Sequence, residues 1–166
     1  MERKVAFPPV VDDKSCILLL GTMPSEESIR KQQYYGHKSN QFWKILFAIF
    51  HKPFSLDYKE RVALLIENRI ALWDVLSSCE GQGSADSDIK AEQANDIEQF
   101  LALHPYIRYV FFTSKKAEEF YRKYIGFSND KVYDVLPSPS SANARMKLDE
   151  KIEEWKRIVY ALQKCQ

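Results

Sequence analysis

Cys16-Ile17-Leu18-Leu19-Leu20-Gly21-Thr22-Met23-Pro24 is the stretch on which the fold turns. Its apolar half lacks polar alternation, which describes a strand buried on both faces, and Gly-Thr-Met-Pro ends that strand in a turn. Three more runs of the same kind follow, at Ile70–Trp73, Tyr109–Phe112 and Val132–Leu136. Helical spacing fills the intervals. Phe42, Ile45, Leu46 and Ile49 form one stripe; Val62, Leu65 and Ile66 form another, behind Asp57 and Glu60 placed like a capping box. Ile97, Phe100 and Leu101 make a third. Ala117, Phe120, Tyr121 and Tyr124 follow a cap at Ser114, and Leu148, Ile152, Trp155, Val159 and Leu162 make the last. Strands alternating with helices predict an α/β domain with a mainly parallel sheet covered by helices on both faces.

The 166 residues, 45% of them hydrophobic, suit one domain spanning 1–166 with a sizeable core. No run is long enough to span a bilayer, and Met1–Lys4 lead into no signal-peptide pattern, so a cytoplasmic protein without membrane contact is expected. Cys16, Cys79 and Cys165 are widely spaced and match neither a disulfide framework nor a zinc motif. His37, His51 and His104 are equally scattered; no metal and no cofactor is expected. The net charge of +1 gives no compositional sign of a nucleic-acid binder. Any DNA contact must come from a local patch or from backbone N–H groups.

In an open parallel sheet, ligands sit beyond the carboxyl ends of the strands. That rule selects Gly21–Asn40, Asp74–Ser87 and Pro137–Arg145. The first contains Tyr34-Tyr35-Gly36-His37-Lys38-Ser39-Asn40. The tyrosines either pack the loop onto the domain or offer a flat face to an aromatic ligand, a contact worth roughly 1–3 kcal/mol for a base. Asn40 is either a helix cap or a carboxamide aimed into a site, where it can orient water. His37 either holds the loop or meets substrate. In the second segment Asp74, Ser84, Asp86 and Ser87 are turn formers or groups that read the edge of a base. The third, Pro137-Ser138-Pro139-Ser140-Ser141 with Arg145 and Lys147 beyond it, is a stiff linker or a phosphate-gripping loop.

The combination resembles the uracil-DNA glycosylase superfamily, and within it the deoxyinosine (hypoxanthine) DNA glycosylase branch. The resemblance rests on Gly21–Pro24, Tyr35–Trp43, Leu72–Leu76, Ser78–Glu80 with Gly83-Ser84 and Asp86-Ser87, and Leu136–Ser140. It implies a three-layer α/β/α fold with a four-stranded parallel sheet. It implies a base site at Gly21, Thr22, Met23 and Pro24, with Tyr35 stacking on a flipped base; the reading of the loops adds His37, Asp74 and Ser84 to that site. Asn40 matches the catalytic asparagine of the deoxyinosine branch. Pro137, Ser138, Pro139 and Ser140 match the DNA-gripping loop, and Ser141 and Arg145 beyond it add a hydroxyl and a charge. Met23 stands where many relatives carry a water-positioning Asp or Asn, and Leu136 where many uracil enzymes carry His. Both departures point away from uracil and toward hypoxanthine. The implied protein is a monomeric, monofunctional hydrolase whose partner is DNA containing a deaminated base. Release of uracil, xanthine or several deaminated bases stays open, as do a non-catalytic module that binds damaged DNA and a small-molecule hydrolase.

Overall fold

The computed structural model describes residues 3–81 and 89–165. Ser84, with Gly83, Asp86 and Ser87, lies outside the described residues. The central sheet is formed by β2 (Ile17–Gly21), β3 (Ile70–Asp74), β6 (Tyr109–Phe112) and β7 (Val132–Val135). Its order is β3-β2-β6-β7, with every pair parallel. All four apolar runs are therefore strands of one sheet.

Side-chain alternation along β2 sorts the helices into two layers. Ile17 and Leu19 join the core built by α2 (Phe42–Ile49), α3 (Tyr58–Glu67), α6 (Leu148–Trp155) and α7 (Arg157–Lys164). Leu18 and Leu20 join the opposite core, built by α4 (Ile97–Leu103) and α5 (Lys115–Tyr124). The result is the three-layer α/β/α arrangement. Caps fall where the sequence places them. Asp57 accepts from the Lys59 amide rather than from that of Glu60, so α3 has a cap but not the box, and Ser114 accepts from Ala117.

Three features differ from expectation. A second sheet, antiparallel with order β1-β4-β5, joins β1 (Arg3–Val5), β4 (Leu76–Glu80) and β5 (Lys90–Ala94). The chain after Asp74 thus leaves one sheet and enters another rather than looping. A short α1 (Glu26–Lys31) forms inside the first site segment, with Ser25 accepting from Ser28 and the acidic Glu26 and Glu27 in its first turn. The last stripe is two helices, interrupted at Lys156, whose amide bonds both Ile152 and Glu153 carbonyls.

The topology fixes the position of the cleft. The chain leaves β2 toward the α2 layer and leaves β6 toward the α5 layer, so a crevice opens between these neighbouring strand ends. Thr22 and Ser114 face each other across it, their hydroxyl oxygens 3.3 Å apart.

Candidate active site

A cleft of about 950 Å³ opens at the carboxyl edge of the sheet, near the upper end of the size expected for a small-ligand site. Thr22, Met23, Pro24, Tyr35, His37, Asn40 and Asp74 line it, together with the loop Pro137–Ser141. The first and third segments chosen from sequence meet here, and of the second segment Asp74 alone among the described residues.

Gly21 lies at the back. Its carbonyl accepts from Val75, and that of Thr22 accepts from Leu76, which zips the ends of β2 and β3 together. A Cβ on Gly21 would come within 2.6 Å of Asp74 Oδ1 and 2.7 Å of the Tyr35 hydroxyl. Glycine is required here for space. The carboxylate of Asp74, itself buried, and the phenol of Tyr35 both press against this point.

The two tyrosines divide the roles left open for them. Tyr34 belongs to the core; its hydroxyl donates to the Pro8 carbonyl, and burial pushes its pKa well above the usual phenol range. Tyr35 adopts a left-handed backbone, φ +50°, and forms a wall of the cleft. One face of its ring lies on Phe42, with centroids 3.9 Å apart and planes 8° from parallel. Its hydroxyl sits 2.9 Å from Thr113 Oγ1. Held at the ring and at the hydroxyl, it is a fixed aromatic surface.

His37 holds the loop, as its simpler reading had it. Its Nδ1 accepts from the Ser39 amide at 3.1 Å and lies 2.7 Å from the Ser39 hydroxyl. The ring is exposed and still faces the cleft. Asn40 does not cap α2, whose N-cap is Gln41, but stands one residue before it. Its Oδ1 accepts from the Phe42 amide at 2.9 Å, at the start of α2, and the side chain lines the cleft. This bond identifies the oxygen, since only the carbonyl end can accept from an N–H. It leaves one Oδ1 lone pair and the two Nδ2 donors for a ligand.

The serine-rich loop is stiffened from every side. Trp155 donates to the Pro137 carbonyl, Asn143 to Ser138, Gln41 to Pro139, and Lys151 to Ser140. The Ser138 and Ser140 hydroxyls accept from the amides two residues on. Ser141 reaches Ser39 across the cleft, oxygen to oxygen at 3.3 Å. Arg145 is exposed and does not line the cleft, so this residue is not brought to the others. The cations that do line it are Lys115 and Arg157. Arg157 donates to Asp134 at 2.7 Å and to the Val135 carbonyl. Lys115, directly after the Ser114 cap, was legible as a helix-start residue; Arg157 carried no local signal. Among the described residues, no group of three or more His, Cys, Asp or Glu side chains could hold a metal ion.

The arrangement offers a rigid aromatic wall, a half-pinned carboxamide and a stiff hydroxyl loop around one space. The profile of the Uracil DNA glycosylase superfamily matches residues 8–163. A Hypoxanthine DNA glycosylase of Methanosarcina acetivorans is 38% identical over 156 residues, covering 93% of this chain and 97% of that protein. One of Methanosarcina barkeri is 37% identical over 146 residues, covering 86% and 90%. The solution NMR structure of a candidate uracil DNA glycosylase from Methanosarcina acetivorans superposes with a TM-score of 0.81 at 36% identity, over 98% of this chain and 99% of the other. With a profile match across nearly its whole length and relatives of this similarity, the chain belongs to the uracil DNA glycosylase superfamily.

Proposed function

We propose that this chain is a monofunctional DNA glycosylase that releases hypoxanthine from deoxyinosine in DNA. The observation that carries the reading is the meeting of Asn40, Tyr35 and the Pro137–Ser141 loop in one cleft. The two relatives named hypoxanthine DNA glycosylases support the choice of base.

The glycosidic bond is hidden in a duplex, so the nucleotide rotates out into the cleft at an unstacking cost of a few kcal/mol. A mispaired hypoxanthine lowers that cost. The base lies against the Tyr35 ring where it walls the cleft, away from the face stacked on Phe42. The Gly21–Pro24 turn and Asp74 surround its edge, and the Pro137–Ser141 loop holds flanking phosphates through hydroxyls and amides. The C1′–N9 bond then breaks with its electron pair leaving on the purine, and the sugar takes on oxocarbenium character. The free lone pair of Asn40 Oδ1 orients the attacking water, whose oxygen bonds to C1′. One water proton is released, the purine takes up a proton, and the products are hypoxanthine and an abasic sugar. The nucleophile is water, so the strand stays intact.

Arg145 then stands outside the grip, and Lys115 supplies charge at the cleft instead, Arg157 being already paired with Asp134. The protein acts as a monomer in the cytoplasm. Among the described residues no helix is long and apolar enough to cross a membrane. Uracil release is the second reading, favoured by the description of the solved relative.

The test is base release from inosine-, xanthine- and uracil-containing oligonucleotides in EDTA. Hypoxanthine with an alkali-labile abasic site is the expected product. Binding to inosine DNA without any release would defeat the proposal.

A further inference from the structure

Lys151 is a lysine with almost no exposed surface, at 1%. It lies on α6 among the apolar positions, four residues before the fully buried Trp155 and so on the same helix face. Its ammonium donates to Gln41 Oε1 at 2.7 Å and to the Ser140 carbonyl at 3.2 Å. Among the described residues no carboxylate lies within ion-pair distance of it. Burial accordingly lowers its pKa, with no compensating charge.

A buried cation without a counter-charge is a costly way to fill a core position, and an apolar residue of the same length would pack there without that cost. A lysine does supply several donors on one atom. Here they join two chain segments that both line the cleft. One is the Asn40–Gln41 turn and the other is the Pro137–Ser141 loop. The same segments are tied once more by the Gln41 amide, which donates to the Pro139 carbonyl at 2.9 Å. Trp155 anchors the beginning of the loop at Pro137, and Lys151 anchors its middle.

We propose that Lys151 is a positioning residue of the base-release reaction. Through Gln41 it sets the turn that carries Asn40, and through the Ser140 carbonyl it sets the loop that holds the DNA strand. The spacing between water-orienting carboxamide and gripped sugar is thereby fixed by one ammonium. The inference rests on the function proposed above. A displacement of a reacting group by about 1 Å can cost on the order of 100-fold in rate, so a loosened link should be visible in turnover.

The experiment compares the parent with Lys151→Met, Gln41→Leu and the double variant. It measures thermal stability, hydrogen exchange at the Gln41 amide, affinity for inosine DNA and single-turnover base release at saturating DNA. Lys151→Met should keep or raise thermal stability, because a buried charge is replaced by an apolar chain of similar length. It should exchange the Gln41 amide faster and lose about tenfold or more in maximal rate, with DNA affinity nearly unchanged. Gln41→Leu should lose a similar factor, and the double variant no more than either single. A folded Lys151→Met with the parent's rate overturns the proposal, as does a loss confined to DNA affinity or losses that multiply in the double variant. If Lys151→Met does not fold, a parental rate in Gln41→Leu overturns it alone. If the parent itself releases no base, the proposed function fails. The Gln41 exchange then still decides the link, and unchanged protection in Lys151→Met sinks it.

Discussion

The Asn40 carboxamide oxygen accepts a 2.9 Å hydrogen bond from the Phe42 amide, and the Phe42 ring lies under Tyr35. Phe42 thus supports both the polar and the aromatic side of the cleft. That bond holds the Asn40 side chain in one orientation, as the proposed water-orienting role requires.

Asn40→Ala should therefore have two separable effects. Loss of the bond to the Phe42 amide should cost about 1 kcal/mol of stability, a shift of roughly 2–4 °C in melting temperature for a domain of this size. Loss of the carboxamide should lower single-turnover base release by about 100-fold or more. Asn40→Asp keeps an acceptor for both Phe42 and water. It should retain the parent's melting temperature and fall less in rate than Asn40→Ala. Thermal melts beside single-turnover assays on inosine DNA check both variants. A well-folded Asn40→Ala at the parental rate would remove Asn40 from the mechanism.

Asn40 also illustrates how far the sequence could be read. Its cap reading misses by one residue, since Gln41 is the N-cap of α2, and what the fold adds is that Oδ1 is bonded to the Phe42 amide while the side chain lines the cleft. The parallel sheet was legible because strands covered on both faces need unbroken apolar runs. The antiparallel β1-β4-β5 sheet was not. Arg3–Val5 is short and charged, and it pairs with residues about 75 positions away, a relationship that no local pattern encodes. The Ser25 cap with Glu26 and Glu27 could have announced α1. Lys151 also left a mark, as a lysine in a stripe whose other members are apolar. Arg157 left none, since its place at the cleft depends on the break at Lys156 and on Asp134.

Gly21→Ala should damage the site from behind. The new methyl would meet Asp74 Oδ1 at 2.6 Å and the Tyr35 hydroxyl at 2.7 Å. Both are held in place, Tyr35 by Phe42 and Thr113, so one of them must move. Overpacking of this kind costs about 1–3 kcal/mol. Base release should fall further than the stability loss explains, since either displaced group lines the cleft. Denaturant melts and single-turnover rates at a temperature where the variant is fully folded would show it. Gly21→Ala at parental rate would argue that the Tyr35 position is unimportant.

Tyr35→Phe and Tyr35→Leu should separate ring from hydroxyl. Phenylalanine keeps the stack on Phe42 and loses the 2.9 Å contact to Thr113. It should stay within about threefold of the parent rate, in line with the modest net worth of one hydrogen bond. Leucine removes the flat face and should weaken binding of inosine DNA by about 1–3 kcal/mol, the value of one base stack. Titration of a fluorescent inosine duplex measures the second effect. Equal affinities for the two variants would exclude stacking on residue 35.

Stability should fall at high pH through buried thiols. Burial, reinforced by the neighbouring Cys165 thiol, pushes Cys16 from its ordinary 9.0 up to about 12. Burial raises Cys79 as well. Between pH 9 and 12 an unfolded Cys16 has lost its proton while the native one keeps it. The native state therefore binds more protons, and stability declines with rising pH by up to about 1.4 kcal/mol per unit for this one group. Urea melts from pH 8 to 10.5 should show the decline, and Cys16→Ala should flatten it. At pH 8 a thiol reagent should modify the half-exposed Cys165 readily and reach Cys16 and Cys79 only on unfolding.

The base preference should be adjustable at Met23. This residue lines the cleft and packs by its inner side against the α4–α5 core, and Leu136 is buried at 1% exposure. Neither supplies a polar side chain to the cleft. Installing His at position 136 would put an imidazole into a core position, so Leu136→His should chiefly destabilise, by about 2 kcal/mol or more. Met23 is half-buried at the cleft wall, and Met23→Asn should fold at a smaller cost. Its carboxamide would add a second water-orienting group beside the Gly21–Pro24 turn. Uracil release should rise by about tenfold from a low parental level, in keeping with the modest contribution of one positioned polar group. Inosine release should change little, because in the proposed mechanism Asn40 already orients the water for that substrate. Parallel single-turnover assays on uracil and inosine duplexes give the ratio directly. A folded Met23→Asn with no gain on uracil would show that the missing carboxamide is not what sets the preference.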